Sequence, residues 1–145
     1  MQYLLMKKSD VKTFFLLGKK AFGLPSQYSW DWSISKIKQY LQSSFGFGIV
    51  CFDQNTIIGF VLAQKKYSSQ KPQVAWINYV FVEKKYRKKC IGSILLQQAL
   101  TTLKKLGKTD IIADAYTNNK RSLQFFKANK FRIKEKWVIL SRKLM

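Results

Sequence analysis

Residues 74–96 read VAWINYVFVEKKYRKKCIGSILL, and the fold follows from how this stretch divides. Its first nine residues are rich in β-branched and aromatic side chains, with Val74, Trp76, Asn78, Val80 and Val82 assigned to one face of a strand and Ala75, Ile77, Tyr79 and Phe81 to the other. Both faces are largely apolar, so the strand is expected inside a sheet covered on both sides. From about Gly92 the spacing of Leu95, Leu96, Ala99, Leu100 and Leu103 is that of an amphipathic helix, and Gly107 supplies its stop. Between strand and helix lies a turn in which five of the six residues 84–89 are basic. A strand that passes through a short turn into a helix N-terminus gathers unpaired backbone N–H groups and the positive end of the helix dipole at one point, where a pyrophosphate fits. A solvated basic turn before an ordinary helix is the plain alternative.

Working outward, residues 2–6 form a short apolar strand, and Ser9 or Asp10 can cap a helix carrying Val11, Phe14, Phe15 and Leu17. Regularity breaks over 23–32, and a second helix starts near Ser33 with Ile34, Ile37 and Leu41 on one face. The runs 48–52 and 57–64, separated by Asp53-Gln54-Asn55-Thr56, read as a hairpin. After Gly107 a strand over 110–115 and a short helix over 120–129 are expected, and 131–144 should close the chain as two strands or one bent one. The order specifies a mixed α/β domain with a central crossover unit, one domain spanning 1–145.

Composition narrows the chemistry. A chain of 145 residues with 47% hydrophobic and 15% aromatic residues can bury one sizeable core. It has no histidine, two cysteines (Cys51 and Cys90) and seven carboxylates. Ser-His-Asp and Cys-His catalysis, haem ligation through histidine and the usual zinc sites therefore lack their side chains, and no metal is expected. Twenty-seven basic residues against seven acidic ones give a formal charge of +20, which favours anionic partners such as nucleic acid, phosphorylated cofactors or acidic surfaces. Lysine-rich usage across a source genome would produce part of the same excess. No apolar run approaches the ~20 residues that span a bilayer, and the opening MQYLLMKKSD lacks a signal-peptide core. A cytoplasmic protein with reduced thiols and no membrane partner is expected.

The stretch VEKKYRKKCIGSILL resembles the acetyl-CoA motif of the GNAT N-acetyltransferases, in which Arg or Gln, two variable residues, Gly, a variable residue and Gly or Ala precede a helix. Arg87 and Gly92 match the outer positions, and Cys90 stands where the first glycine is usual. NNKRSLQFFKANKF is similar to a later family segment, through Asn119, Ser122, Phe126 and Phe131. The hairpin with Gly59 and the N-terminal helical pair agree. The resemblance implies the GNAT fold, a central mixed twisted sheet of six to seven strands with about four helices. It further implies acetyl-CoA as cosubstrate, the backbone of Val80, Phe81 and Val82 pairing with the pantetheine arm. The pyrophosphate would rest on the amides from Arg87 through Lys88, Lys89, Cys90 and Ile91 to Gly92, with Ser93 opening the helix beside them. Asn119 would hydrogen-bond the cofactor, and Phe126 would lie against it.

The departures matter. Family members often carry Tyr at the position of Phe126 to protonate the departing thiolate, and phenylalanine has no proton to give. Cys90 and Lys130 replace glycines, which is costly only if their φ is positive. For the base, the resemblance to peptide N-terminal acetyltransferases, including those of ribosomal proteins, points to Asp114; a strand-end residue capping the next turn is the alternative. Tyr116, two residues on, falls on the same side in extended chain and is the substitute acid; water is the other. Cys90 lacks a base partner, so direct attack without a covalent enzyme intermediate is expected.

Deprotonating a lysine amine at pH 7 costs about 4.6 kcal/mol and an α-amine only about 1.4, so one modest base suits an α-amine. A +20 chain repels free polyamines, which favours an amine on an anionic body: a ribosomal or RNA-associated terminus, or an acidic peptide. Tyr28, Trp30, Trp32, Phe45, Phe47 and Tyr79 could wall that pocket, although such aromatics are more often core. A non-catalytic CoA-binding module and a basic nucleic-acid-binding domain are the rival readings, with a monomer or homodimer in either case.

Overall fold

The computed structural model describes residues 1–21 and 32–144. Five strands form one sheet in chain order: β1 (Gln2–Leu5), β2 (Gly46–Asp53), β3 (Thr56–Gln64), β4 (Val74–Val82) and β5 (Asp110–Ala113). β1 to β4 pair antiparallel, and β4 and β5 pair parallel. A parallel pair needs a long crossover, supplied by the helix over Ile91–Lys105. With it there are four α-helices among the described residues: α1 (Val11–Ala21), α2 (Ile34–Lys38), α3 (Ile91–Lys105) and α4 (Lys120–Ala128). The mixed architecture is as expected, with five strands instead of six or seven. Residues 131–144 contain no strand, because no ladder partner engages their backbone among the described residues.

The chain divides into two compact units, residues 1–114 and 115–145. In the first, Phe14 of α1 and Trp32, Ile37 and Tyr40 around α2 pack with Phe60, Leu62 and Phe81. Phe60 is the pivot, its ring centroid 4.3 Å from that of Phe14 and 5.3 Å from that of Phe81. Trp32 stacks on Phe60, meets Tyr79 edge-on and donates its indole N–H to the Phe15 carbonyl at 3.0 Å. Trp32, Phe47 and Tyr79 are therefore core or core-lining, and Phe45 packs against Tyr40. They do not form the separate pocket wall considered from the sequence; Tyr28 and Trp30 lie outside the described residues. On the opposite face Leu95, Leu96, Ala99 and Leu103 of α3 are fully buried.

Helix ends follow local chemistry. The Asp10 carboxylate accepts the Lys7 N–H at 2.8 Å from inside the first turn, so the helical region opens earlier than Ser9. Ser33 caps α2 by accepting from the Lys36 N–H at 3.0 Å. Ile37 and Tyr40 are buried from this segment, whereas Ile34 and Leu41, assigned with Ile37 to one face, are exposed. The helix is only five residues long and gives way to a tighter 3-10 turn over Gln39–Leu41, which rotates the buried stripe. α3 ends as expected: Gly107 takes φ +83°, and Lys108 N–H bonds to the Leu103 carbonyl at 3.1 Å.

The main departure lies in β4. Along β3 from Gly59 onward, Phe60, Leu62 and Gln64 alternate with Gly59, Val61 and Ala63. Their partners are Phe81, Tyr79 and Trp76 on one face and Val82, Val80 and Ile77 on the other, with Asn78 left over. Asn78 is a β-bulge, and the phase of alternation changes there. Trp76 thus shares a face with Tyr79 and Phe81, and Ile77 with Val80 and Val82, contrary to the uninterrupted alternation read from the sequence. Gly59 fits where sheet and helix come closest, since a Cβ there would stand 2.8 Å from the Phe81 carbonyl oxygen and 3.3 Å from Leu95. Gly59→Ala is expected to cost about 1–3 kcal/mol by overpacking, measurable as a lowered urea midpoint with unchanged slope.

Candidate active site

The turn between β4 and α3 begins as a 3-10 turn over Lys84–Tyr86, in which the Arg87 N–H already bonds to the Lys84 carbonyl at 3.3 Å. The first backbone bond of α3 runs from Ile94 N–H to the Cys90 carbonyl at 2.9 Å. Among the described residues, the amides of Lys88, Lys89, Cys90, Ile91 and Gly92 have no backbone acceptor. Of the six amides from Arg87 to Gly92 expected as donors, that of Arg87 is thus already bonded within the turn. Lys88 at φ +61° and Cys90 at φ +65° are both left-handed, and such alternations turn successive N–H groups into an anion-binding concavity. The helix dipole adds positive potential.

Arg87 acts as a brace: its Nε donates to the Val82 carbonyl oxygen at 2.8 Å, tying the turn to the end of β4. Tyr86, which the sequence did not single out, is a second brace. Its hydroxyl donates to Asp53 Oδ2 at 2.7 Å, anchoring the turn on the β2–β3 hairpin. Its ring lies under the Lys85 and Lys89 ammonium groups, 5.4 and 5.6 Å from their Nζ atoms. The bond to Asp53 raises the Tyr86 pKa above its ordinary value of 10.0, with lesser contributions from burial and from the Asp53 and Glu83 charges. A tyrosine inside a lysine run was the available signal; its partner 33 positions away was not.

Pairing between β4 and β5 ends at Ile77 opposite Ala113. From Asn78 to Val82 the β4 edge on that side has no strand beside it among the described residues, a gap in the ladder. Asn78 Oδ1 is buried without a hydrogen-bond partner, as is Trp76 Nε1. Asp114 immediately follows β5, where continuation of the register would set it across from Asn78, and it is exposed. Val80, Phe81 and Val82 line the unpaired edge, the Val82 carbonyl being held by Arg87.

In the second unit the Asn119 side chain accepts the Ser122 N–H at 3.2 Å and so caps α4. At the other end Phe131 N–H bonds to the Phe126 carbonyl at 2.9 Å and Lys130 N–H to the Lys127 carbonyl at 3.0 Å, while Lys130 takes φ +71°. This is a Schellman motif with its apolar clasp, the Phe126 and Phe131 rings 5.2 Å apart. The spacing from Asn119 to Ser122, Phe126 and Phe131 therefore has a complete helix-capping explanation. Tyr116 is exposed and its carbonyl accepts the Asn119 N–H at 2.9 Å.

Two measurements check the turn. Cys90→Gly should stabilise the fold by about 1 kcal/mol in chemical denaturation, because glycine meets no Cβ penalty at that φ while loosening the unfolded chain. Tyr86→Phe removes the bond to Asp53 but keeps the ring. Since the folded-state pKa is raised, the wild-type advantage over Tyr86→Phe should be constant below pH 10.0 and disappear as pH rises through the raised value. Urea titrations of both proteins on either side of that pH give the comparison.

Residues 19–131 match the model of the Acetyltransferase (GNAT) family. No curated protein sequence matches the chain. Among solved structures, the chain is similar to AAC(6')-Iy in complex with a bisubstrate analogue, CoA-S-monomethyl-acetylneamine, with TM-score 0.79, 18% identity, and 99% of this chain and 98% of that one covered. It is also similar to the aminoglycoside 6'-N-acetyltransferase AAC(6')-IG of Acinetobacter haemolyticus, with TM-score 0.77, 19% identity and full coverage of both chains (100% each). An aminoglycoside acetyltransferase from an uncultured soil metagenomic sample aligns with TM-score 0.77 at 18% identity over 99% of this chain and 96% of that one. With a central crossover helix opening on a turn of unpaired amides and a family match across most of its length, the chain belongs to the acetyltransferase (GNAT) family.

Proposed function

We propose that the chain, acting as one catalytic domain, transfers the acetyl group of acetyl-CoA to a primary amine by direct attack. The observation that carries this reading is the continuity between the unpaired edge of β4 from Asn78 to Val82 and the free amides of Lys88 to Gly92. One offers strand-like pairing to an amide-bearing arm, and the other offers donors and charge to a diphosphate. CoA bound to the similar fold of AAC(6')-Iy supports the same use of the gap. When bound, acetyl-CoA supplies an activated acyl carbonyl. Asp114, beside the gap, accepts a proton from the acceptor ammonium, and water returns one to the departing sulfur.

The acceptor we favour is an α-amine on an anionic body, a ribosomal or RNA-associated terminus or an acidic peptide. A net charge of +20 attracts such bodies, and one carboxylate suffices for an amine of pKa near ~8. Polycationic aminoglycosides, the substrates named for the structural relatives, find few counter-charges on a chain with seven carboxylates.

Calorimetry should detect acetyl-CoA binding that weakens as salt rises. Thiol release should be faster with acidic N-terminal peptides than with an aminoglycoside. Asp114→Asn should lower turnover by about 10²-fold or more without weakening CoA binding. Unchanged turnover would remove Asp114 from the reaction, and absence of CoA binding would leave a basic domain whose RNA affinity is then the quantity to measure.

A further inference from the structure

The loop joining β3 to β4, residues 65–73, is fixed by local hydrogen bonds. Tyr67 N–H bonds to the Val74 carbonyl at 2.8 Å and Lys71 N–H to the Ser68 carbonyl at 3.2 Å, while the Gln64 side-chain amide donates to the Lys66 carbonyl at 2.9 Å. The segment that follows α3 is fastened to this loop. Lys108 Nζ donates to the Pro72 carbonyl at 2.8 Å, and Thr109 N–H to the Gln73 carbonyl at 3.0 Å. Two stretches distant in sequence, 65–73 and 104–110, thus lie together at the end of the sheet where β4 begins, whereas the turn over 84–92 lies where β4 finishes. They carry six lysines, Lys65, Lys66 and Lys71 from the loop and Lys104, Lys105 and Lys108 from the end of α3. Lys66, Lys71, Lys104 and Lys105 are exposed. The one carboxylate of the two stretches, Asp110, accepts the Thr109 hydroxyl at 3.2 Å. Among these cations stands Tyr67, 43% exposed, its ring edge-to-face with Trp76 at a centroid distance of 5.3 Å.

We propose that this end of the molecule binds single-stranded nucleic acid, with phosphates against the lysines and a base stacked on Tyr67. Cations alone attract any polyanion. An exposed aromatic ring fixed among them adds a contact that only a polymer carrying bases can use. Contact with Trp76 restrains the Tyr67 ring, so less side-chain freedom is lost when a base stacks on it. The turn over 84–92 suits this role less, because the Tyr86 hydroxyl is committed to Asp53 and its ring already lies under two lysines. Trp76 comes two residues before Asn78, where the unpaired edge of β4 begins. On the acetyl-transfer reading, from which this surface is argued independently, a nucleic acid held here occupies the end of β4 remote from the diphosphate and leaves room for both ligands.

Fluorescence anisotropy of a labelled oligouridylate of about 12 nucleotides, titrated with the full chain, tests the proposal. Affinity should fall steeply between about 50 and about 200 mM NaCl, and Lys66→Gln combined with Lys71→Gln should reduce the slope of log K against log salt by about 1.4. Tyr67→Ala should raise the dissociation constant by about fivefold or more, whereas Tyr67→Phe, which keeps the ring, should bind like the wild type. Lys19→Gln should change neither quantity: it is exposed in the last turn of α1, beside Lys20, which lines a cavity with Asp53 at the other end of the sheet. Thermal melts confirm that each variant is folded. Oligodeoxythymidylate of equal length assigns the partner to RNA or DNA by whichever binds tighter, and saturating CoA should displace neither. Displacement by CoA, an affinity untouched by Tyr67→Ala, or inorganic polyphosphate or phosphatidylserine vesicles bound as tightly as the oligonucleotide would each overturn the assignment. The variants are compared without CoA, so a chain that binds no CoA still answers this test, and the two readings stand or fall separately.

Discussion

One extra residue in β4 organises the site. At Asn78 the strand gains a position without a cross-strand partner, and alternation restarts in the opposite phase. Tyr79 and Phe81 thereby join Phe60, Leu62 and Trp32 in the aromatic core, while Val80 and Val82 turn toward the α3 side. Lateral pairing to β5 ends beside the bulge, at Ile77. The bulge thus lies beside the gap: the position that phases the core is next to the last β4–β5 pair.

The turn between β4 and α3 is built by accepting unfavourable backbone geometry and compensating around it. Lys88 and Cys90 are left-handed without being glycine. The bonds from Arg87 to Val82 and from Tyr86 to Asp53 hold both sides of the turn against that tendency to relax. The lysines are also arranged: two ammonium groups share the Tyr86 ring, which limits where their charge can go. Charge density alone would attract anions without directing them, whereas oriented amides define a place.

Much of this was legible in the residues and some was not, for identifiable reasons. The leucine spacing after Gly92 and the glycine at 107 define α3 because helical periodicity and a left-handed stop are local signals. The hairpin around Gln54 and Asn55 is legible for the same reason. The bulge is not: when both faces of a strand are apolar, hydrophobic alternation contains no phase information, and an inserted residue leaves no trace. Tyr86 with Asp53 escapes notice because a contact over 33 positions depends on the turn geometry. The spacing of Asn119, Ser122, Phe126 and Phe131 is informative in another way. Read for ligand contacts, it also specifies the two ends of a short helix, with the Asn at the start and the aromatic clasp at the finish. Residues 131–144 carry strand-like composition, but composition cannot supply a neighbouring edge.

The two thiols occupy opposite environments. Cys51 is enclosed within the sheet, while Cys90 is exposed at the head of α3 among the free amides. A maleimide or a fluorescent iodoacetamide therefore has one accessible target in the folded chain, adjacent to the proposed diphosphate seat. Its labelling rate becomes a direct optical gauge of occupancy, readable without knowing which amine the protein serves.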